Sequence, residues 1–150
     1  MDIGKLVNYE YIHEYRATFP NSDRYCGITL GLRSESSETS KNVVRKHLND
    51  SFQVKGRQRK QTAEAIEIQE LEKVASTIAW WKWEKSDPSE PGKDDGEMAT
   101  YNGRENPELT MNLAVEILQK VNWLYAQIKV AGTDVENFME KKPENVSATI

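Results

Sequence analysis

Apolar and polar positions change rhythm several times along the chain. From Arg24 to Arg33, RYCGITLGLR alternates with period two, placing Cys26, Ile28, Leu30 and Leu32 on one side and Tyr25, Gly27, Thr29 and Gly31 on the other. The alternation predicts a strand with one apolar face, with the glycines leaving room for a close backbone approach on the other. SESSET follows, supplying N-cap hydroxyls and acids suited to a first helical turn. A helix is expected from about Ser37, with Val43, Val44, His47, Leu48 and Phe52 on one stripe. A second helix is expected from near Thr62, burying Ile68, Leu71, Val74, Ala75 and Ile78 and ending in the tryptophan run AWWKW.

Residues 84–98, EKSDPSEPGKDDGEM, hold turn formers and almost no apolar side chain. They are expected to form a loop or hairpin tip between short strands at 81–85 and 97–101. ENPELT then carries a helix-start signal, with Asn106 as N-cap, Pro107 at the first helical position and Glu108 in the first turn. A third helix should run from Pro107 to about Lys120, burying Leu113, Ala114, Ile117, Leu118 and Val121. A fourth, broken from it near Asn122, should carry Leu124, Ile128, Ala131, Val135 and Phe138 inward, with Gly132 as a weak point. The fold class expected is mainly α within α+β: about four helices, an N-terminal strand and a small hairpin around residues 81–101. Residues 1–23 show no clean period, but Tyr9, Tyr11, Tyr15 and Phe19 make them an aromatic N-terminal arm able to pack or dock. Residues 24–141 form a single helical domain, and 142–150 are expected to be a flexible tail.

At 150 residues the chain can bury a core without disulfides, and its only cysteine, Cys26, excludes an intrachain one. That usage fits a reducing cytosol. No apolar run approaches the length of a membrane helix, and the N-terminal residues lack a signal-peptide core, so no membrane association is expected. The net charge of −4 is unevenly spread. Between Lys41 and Lys60 seven basic residues face one acid, Asp50, and Lys55, Arg57, Arg59 and Lys60 make a candidate basic patch. The absence of aromatic residues within KGRQRK argues against single-strand nucleic acid as its partner.

Catalytic chemistry has little to work with. No phosphate-binding GxxxxGK, dinucleotide GxGxxG, GxSxG or HExxH motif is present, and the two histidines, His13 and His47, stand 34 positions apart. The acids of 84–98 lack the register of a calcium loop. A non-enzymatic role without cofactor or metal is expected. Trp81 and Trp83, on one face of a short strand, are the best candidates for partner contact, while Trp80, as the end of the second helix, would cap the core.

GITLGLRSESS, a charged helical pair, AWWKW, an acidic turn, YNGRENPELTMNLAVEIL and WLYAQIKVAGTDVENFM together resemble the tail assembly chaperones of long-tailed bacteriophages, over roughly residues 27–139. The chain departs from that pattern in having three clustered tryptophans rather than one and a longer aromatic arm. Trp123 and Phe138 stand in the final WLYAQI and ENF motifs and complete the candidate protein-binding set with Trp81 and Trp83. The resemblance implies a factor of the host bacterial cytoplasm that binds the phage tape-measure protein and recruits tail-tube subunits, with self-association left open. Two alternatives remain: a virion structural protein such as a tail or head completion subunit, and a small phage inhibitor or regulator acting on a host protein or nucleic acid.

Overall fold

The computed structural model describes residues 1–52 and 62–139. Strands β1 (His13–Thr18), β2 (Tyr25–Leu32) and β3 (Ile78–Trp83) form an antiparallel sheet in the order β1-β2-β3. Helices α1 (Glu38–Phe52) and α2 (Ala63–Ala75) lie between β2 and β3 in the chain. After β3 come a two-stranded ladder of β4 (Thr100–Tyr101) and β5 (Arg104–Glu105), then α3 (Met111–Lys120) and α4 (Asn122–Thr133). Short 3-10 turns occupy Ile3–Lys5 and Val135–Phe138. The fold is α+β, with four α-helices among the described residues.

The alternation of β2 does what its pattern requires. Cys26, Ile28, Leu30 and Leu32 face a core completed by Leu71, Val74 and Ala75 of α2, Ala114, Ile117 and Leu118 of α3, and Leu124, Ile128 and Ala131 of α4. Burying a side chain of this size contributes about 1.5–3 kcal/mol, so the three helices and the central strand stabilise one another. The register places His13 and Tyr15 opposite Leu32 and Leu30, and Trp81 and Trp83 opposite Leu30 and Ile28, on the same core face.

Several elements differ from the sequence expectation. Residues 13–18 of the arm are a strand: His13, Tyr15 and Ala17 alternate with Glu14, Arg16 and Thr18. The alternation is masked by histidine and tyrosine standing where an aliphatic residue would be obvious. The second helix stops at Ala75 because Ser76 and Thr77 turn their hydroxyls back onto the carbonyls of Lys73 and Val74. The β-branched and aromatic run from Ile78 then extends as β3, so Ile78 is buried from a strand and not from a helix. The flanks of the 84–98 loop do meet, through a bridge between Lys85 and Met98 and bonds from Ser86 N–H to Glu97 O and Ala99 N–H to Glu84 O. Trp81 to Trp83, however, pair with β2 rather than across that loop.

ENPELT does not open α3. The N-cap is Thr110, whose hydroxyl accepts from Leu113 N–H at 3.1 Å, and the helix begins at Met111. Asn106 instead holds a left-handed φ of 40° and accepts Trp83 N–H on its side-chain oxygen at 3.1 Å. α4 breaks from α3 at Asn122 as expected but ends at Thr133, leaving Val135–Phe138 as a 3-10 turn capped by Asp134. Gly132 is buried beside Thr77, where an added Cβ would make ordinary van der Waals contact at 3.6 Å, and its carbonyl accepts Glu35 N–H at 3.1 Å. In α1, Val44 and Leu48 of the expected buried stripe are exposed, while His47 sits half-buried with Nε2 3.5 Å from Glu72 of α2. The basic patch Lys55, Arg57, Arg59 and Lys60 and the tail 142–150 lie outside the described residues.

Candidate protein-binding surface

Pleating of β3 sorts its tryptophans. Trp81 and Trp83 share the core face and meet edge to face, with ring centroids 5.5 Å apart. Trp81 is half-buried and donates Nε1–H to Pro107 O at 2.7 Å, whereas Trp83 is buried and its Nε1 has no hydrogen-bond partner. Trp80 takes the opposite face, 40% exposed, with its indole laid over Gly31. The burial expected from the sequence, Trp80 in the core and Trp83 outward, is therefore exchanged between those two rings, with Trp81 half-buried. The cause is the early end of α2, which puts Trp80 inside a strand instead of on a last helical turn.

Trp123 is half-buried in the first turn of α4, packed against the rim of the core. Phe138 is buried beside β1, its ring 6.3 Å from that of His13 in an edge contact. Trp81 and Trp83 belong to β3 and Phe138 packs against β1, so the four candidate residues straddle opposite edges of the sheet and form no single surface.

The outer face of the sheet is organised by charge. The Arg16 guanidinium sits 4.0 Å from the centroid of the Tyr25 ring. The Tyr25 hydroxyl donates to Glu84 at 2.7 Å and lies 2.7 Å from the Thr29 hydroxyl. Burial, reinforced by Glu84, pushes the Tyr25 phenol up to about 12. Trp80 lies on this same face, beside Lys82 and Glu84, whose charges are 3.6 Å apart.

A second polar cluster fastens α4 to α2. Lys129 Nζ reaches Glu35 at 3.0 Å and Glu70 at 2.8 Å, Lys73 approaches both carboxylates at 3.3 and 3.1 Å, and Tyr125 donates to Glu70 at 3.2 Å. Burial alone would lower the Lys129 pKa, but its bonds to Glu70 and Glu35 hold it well above the ordinary lysine value. Burial would likewise raise Glu70, and the bonds from Lys129 and Lys73 reverse the sign and hold it low. Glu35 Oε2 is left without a hydrogen-bond partner, while the other charged atoms hold one another, a structural clamp more than an open site.

Among the described residues, exposed apolar side chains are most frequent on the N-terminal segment. Val7 bridges Met139, and Asn8 N–H donates to Phe138 O at 2.8 Å, which docks the segment beside the end of α4. Between them opens a cleft of about 680 Å³ lined by Gly4, Lys5, Val7, Asn8, Tyr11, Phe138 and Met139. On the same segment Ile3, Leu6, Tyr9, Tyr11 and Ile12 stand exposed, Ile3 by 78% and Tyr11 by 51%, and Tyr11 lines the cleft itself. Glu10 anchors the far side, accepting Glu38 N–H at the start of α1 at 3.0 Å. The only sequence signal for this surface is the aromatic content of the arm, since the segment has no period of its own.

Among the described residues, no three His, Cys, Asp or Glu side chains gather to hold a metal, and no helix is long and apolar enough to cross a membrane. Cys26 is buried, and burial pushes its thiol up, away from the reactive thiolate. Compared with protein-family models, curated proteins and solved structures, the chain matches none of them.

Proposed function

We propose that this chain is a non-enzymatic protein-binding factor, a tail assembly chaperone of a long-tailed bacteriophage that holds the tape-measure protein in the host cytoplasm and recruits tail-tube subunits. The observation that carries the reading is the run of exposed apolar side chains on the N-terminal segment together with the 680 Å³ cleft between that segment and Phe138–Met139. Large apolar side chains left exposed close together on a small protein favour a docking surface. A long helical polymer presenting apolar stripes is suited to such a cleft in the helix-in-groove manner, with the net charge of −4 keeping the complex soluble. The sequence resemblance supplies the specific class of partner.

The test is co-expression with the tape-measure product of the same genome. A soluble complex is expected, and Tyr11→Asp combined with Met139→Asp should abolish it while the circular dichroism melt of the isolated chain is kept. If the tape-measure protein stays insoluble and no complex is captured with the unaltered chain, the proposal fails. Recovery of the chain in purified particles would favour the virion structural alternative.

A further inference from the structure

β1 is an edge strand, and the alternation of the ladder decides which of its backbone groups are free. Glu84 N–H donates to Gly27 O at 2.7 Å, so Gly27, Thr29 and Gly31 turn their backbone groups towards β3, while Ile28, Leu30 and Leu32 turn theirs towards β1. Tyr15, opposite Leu30, and His13, opposite Leu32, are thereby paired with β2. The backbone groups of Glu14 and Arg16 point away from the sheet. Thr18 has the same outward orientation, but the Gln127 side chain takes both its N–H at 3.0 Å and its carbonyl at 2.8 Å. The edge is sealed at Thr18 and open at Glu14 and Arg16, and an open edge is a template for another strand.

We propose that the strand that covers it is β1 of a second copy of this chain, paired antiparallel about a two-fold axis through Tyr15, joining two three-stranded sheets into one of six. Charge selects both the occupant and the register. With the axis at Tyr15, Glu14 of each copy faces Arg16 of the other, giving two cross-strand pairs of opposite sign within hydrogen-bonded positions. An axis at Glu14 or at Arg16 would set like charges opposite each other. Arg16 is held on the outer face by its stacking on Tyr25, on the same side of the strand as Glu14. Beneath the edge, α4 leaves Val130 66% exposed along a groove of about 480 Å³ that His13, Tyr15 and Ala126 also line. The same two-fold sets the two grooves side by side and gives Val130 a partner. The inference concerns this edge alone and does not rest on the proposed function.

Sedimentation equilibrium of the purified full chain, from about 1 to 100 μM, tests it. A dimer is expected for the unaltered chain. Glu14→Arg and Arg16→Glu should each weaken dimerisation at least about tenfold, because each sets two like-charged pairs across the axis. Both positions are exposed, so the fold should survive. Mixing the two single variants should restore a dimer, since one then presents two cations and the other two anions. A chain that stays monomeric at the highest concentration overturns the proposal, as does a dimer indifferent to either reversal or a pair of variants that fail to complement each other.

Discussion

The Trp80 indole lies directly over Gly31, so close that a Cβ added to the glycine would sit 2.1 Å from Trp80 Nε1. Because Trp80 is a half-exposed surface side chain, it can swing away, and Gly31→Ala should shift Trp80 fluorescence to the red. The change in stability should stay within about 1 kcal/mol, as the gain from removing a strand glycine offsets the lost packing. Trp83 makes the contrast. Trp83→Ala should cost about 3–5 kcal/mol in urea denaturation. Trp83→Phe should cost much less, about 1 kcal/mol, because it also removes a buried N–H that has no partner. Equal losses for Trp80→Ala and Trp83→Ala would contradict the placement of the two rings on opposite faces.

Asn106 and Thr110 exchange the roles that ENPELT announces. Asn106→Ala should lose about 2 kcal/mol, from an unsatisfied Trp83 N–H on the β3 edge and an alanine at φ 40°. Asn106→Gly should recover the conformational part only. Thr110→Ala should lose about 1 kcal/mol through its helix cap. Amide exchange locates each effect: the first substitution should speed exchange at Trp83, the second at Leu113. Faster exchange at the α3 start on changing Asn106, with Trp83 unaltered, would restore Asn106 as the cap.

The Lys129 cluster sets a pH dependence whose sign follows from its two shifts. Glu70 is lower in the folded chain than in the unfolded one, so its contribution is present above the ordinary carboxylate range, about pH 4, and is lost as pH falls through the lower folded value. Lys129 is raised, so its contribution is complete below about pH 10 and fades only as pH climbs through the folded value. Urea midpoints measured from pH 7 down to 3 should therefore fall, and Glu70→Gln should flatten the acid limb. Lys129→Met should cost about 1–2 kcal/mol at pH 7, since Lys73 still serves both carboxylates. An unchanged acid limb in Glu70→Gln would assign the dependence to other groups.

What the sequence determined by itself is local. The three-and-four spacing of Leu71, Val74 and Ala75, of Ala114, Ile117 and Leu118, and of Leu124, Ile128 and Ala131 identifies which residues share a helical face, and these nine are buried, whereas Ile68 and Val135, expected on the same stripes, stand exposed at the stripe ends. The alternation of Cys26 to Leu32 likewise identifies the central strand. Periodicity carries this because it is set by backbone geometry alone. Only the tertiary structure decided which face is covered and where one element gives way to the next. The stripe of α1 has the same spacing as its neighbours, yet Val44 and Leu48 stand exposed. Trp80 and Trp83 are chemically identical, and the hydroxyls of Ser76 and Thr77, by ending α2 before them, send one to the surface and the other inside. Asn106 has the chemistry of a helix cap, but the nearest unpaired N–H belongs to Trp83, and a buried donor is satisfied by whatever acceptor the fold brings within reach. The surface around Tyr11 and Met139 was least legible of all, because its two halves lie more than a hundred residues apart and are brought together by the bridge from Val7 to Met139 and the bond from Asn8 N–H to Phe138 O.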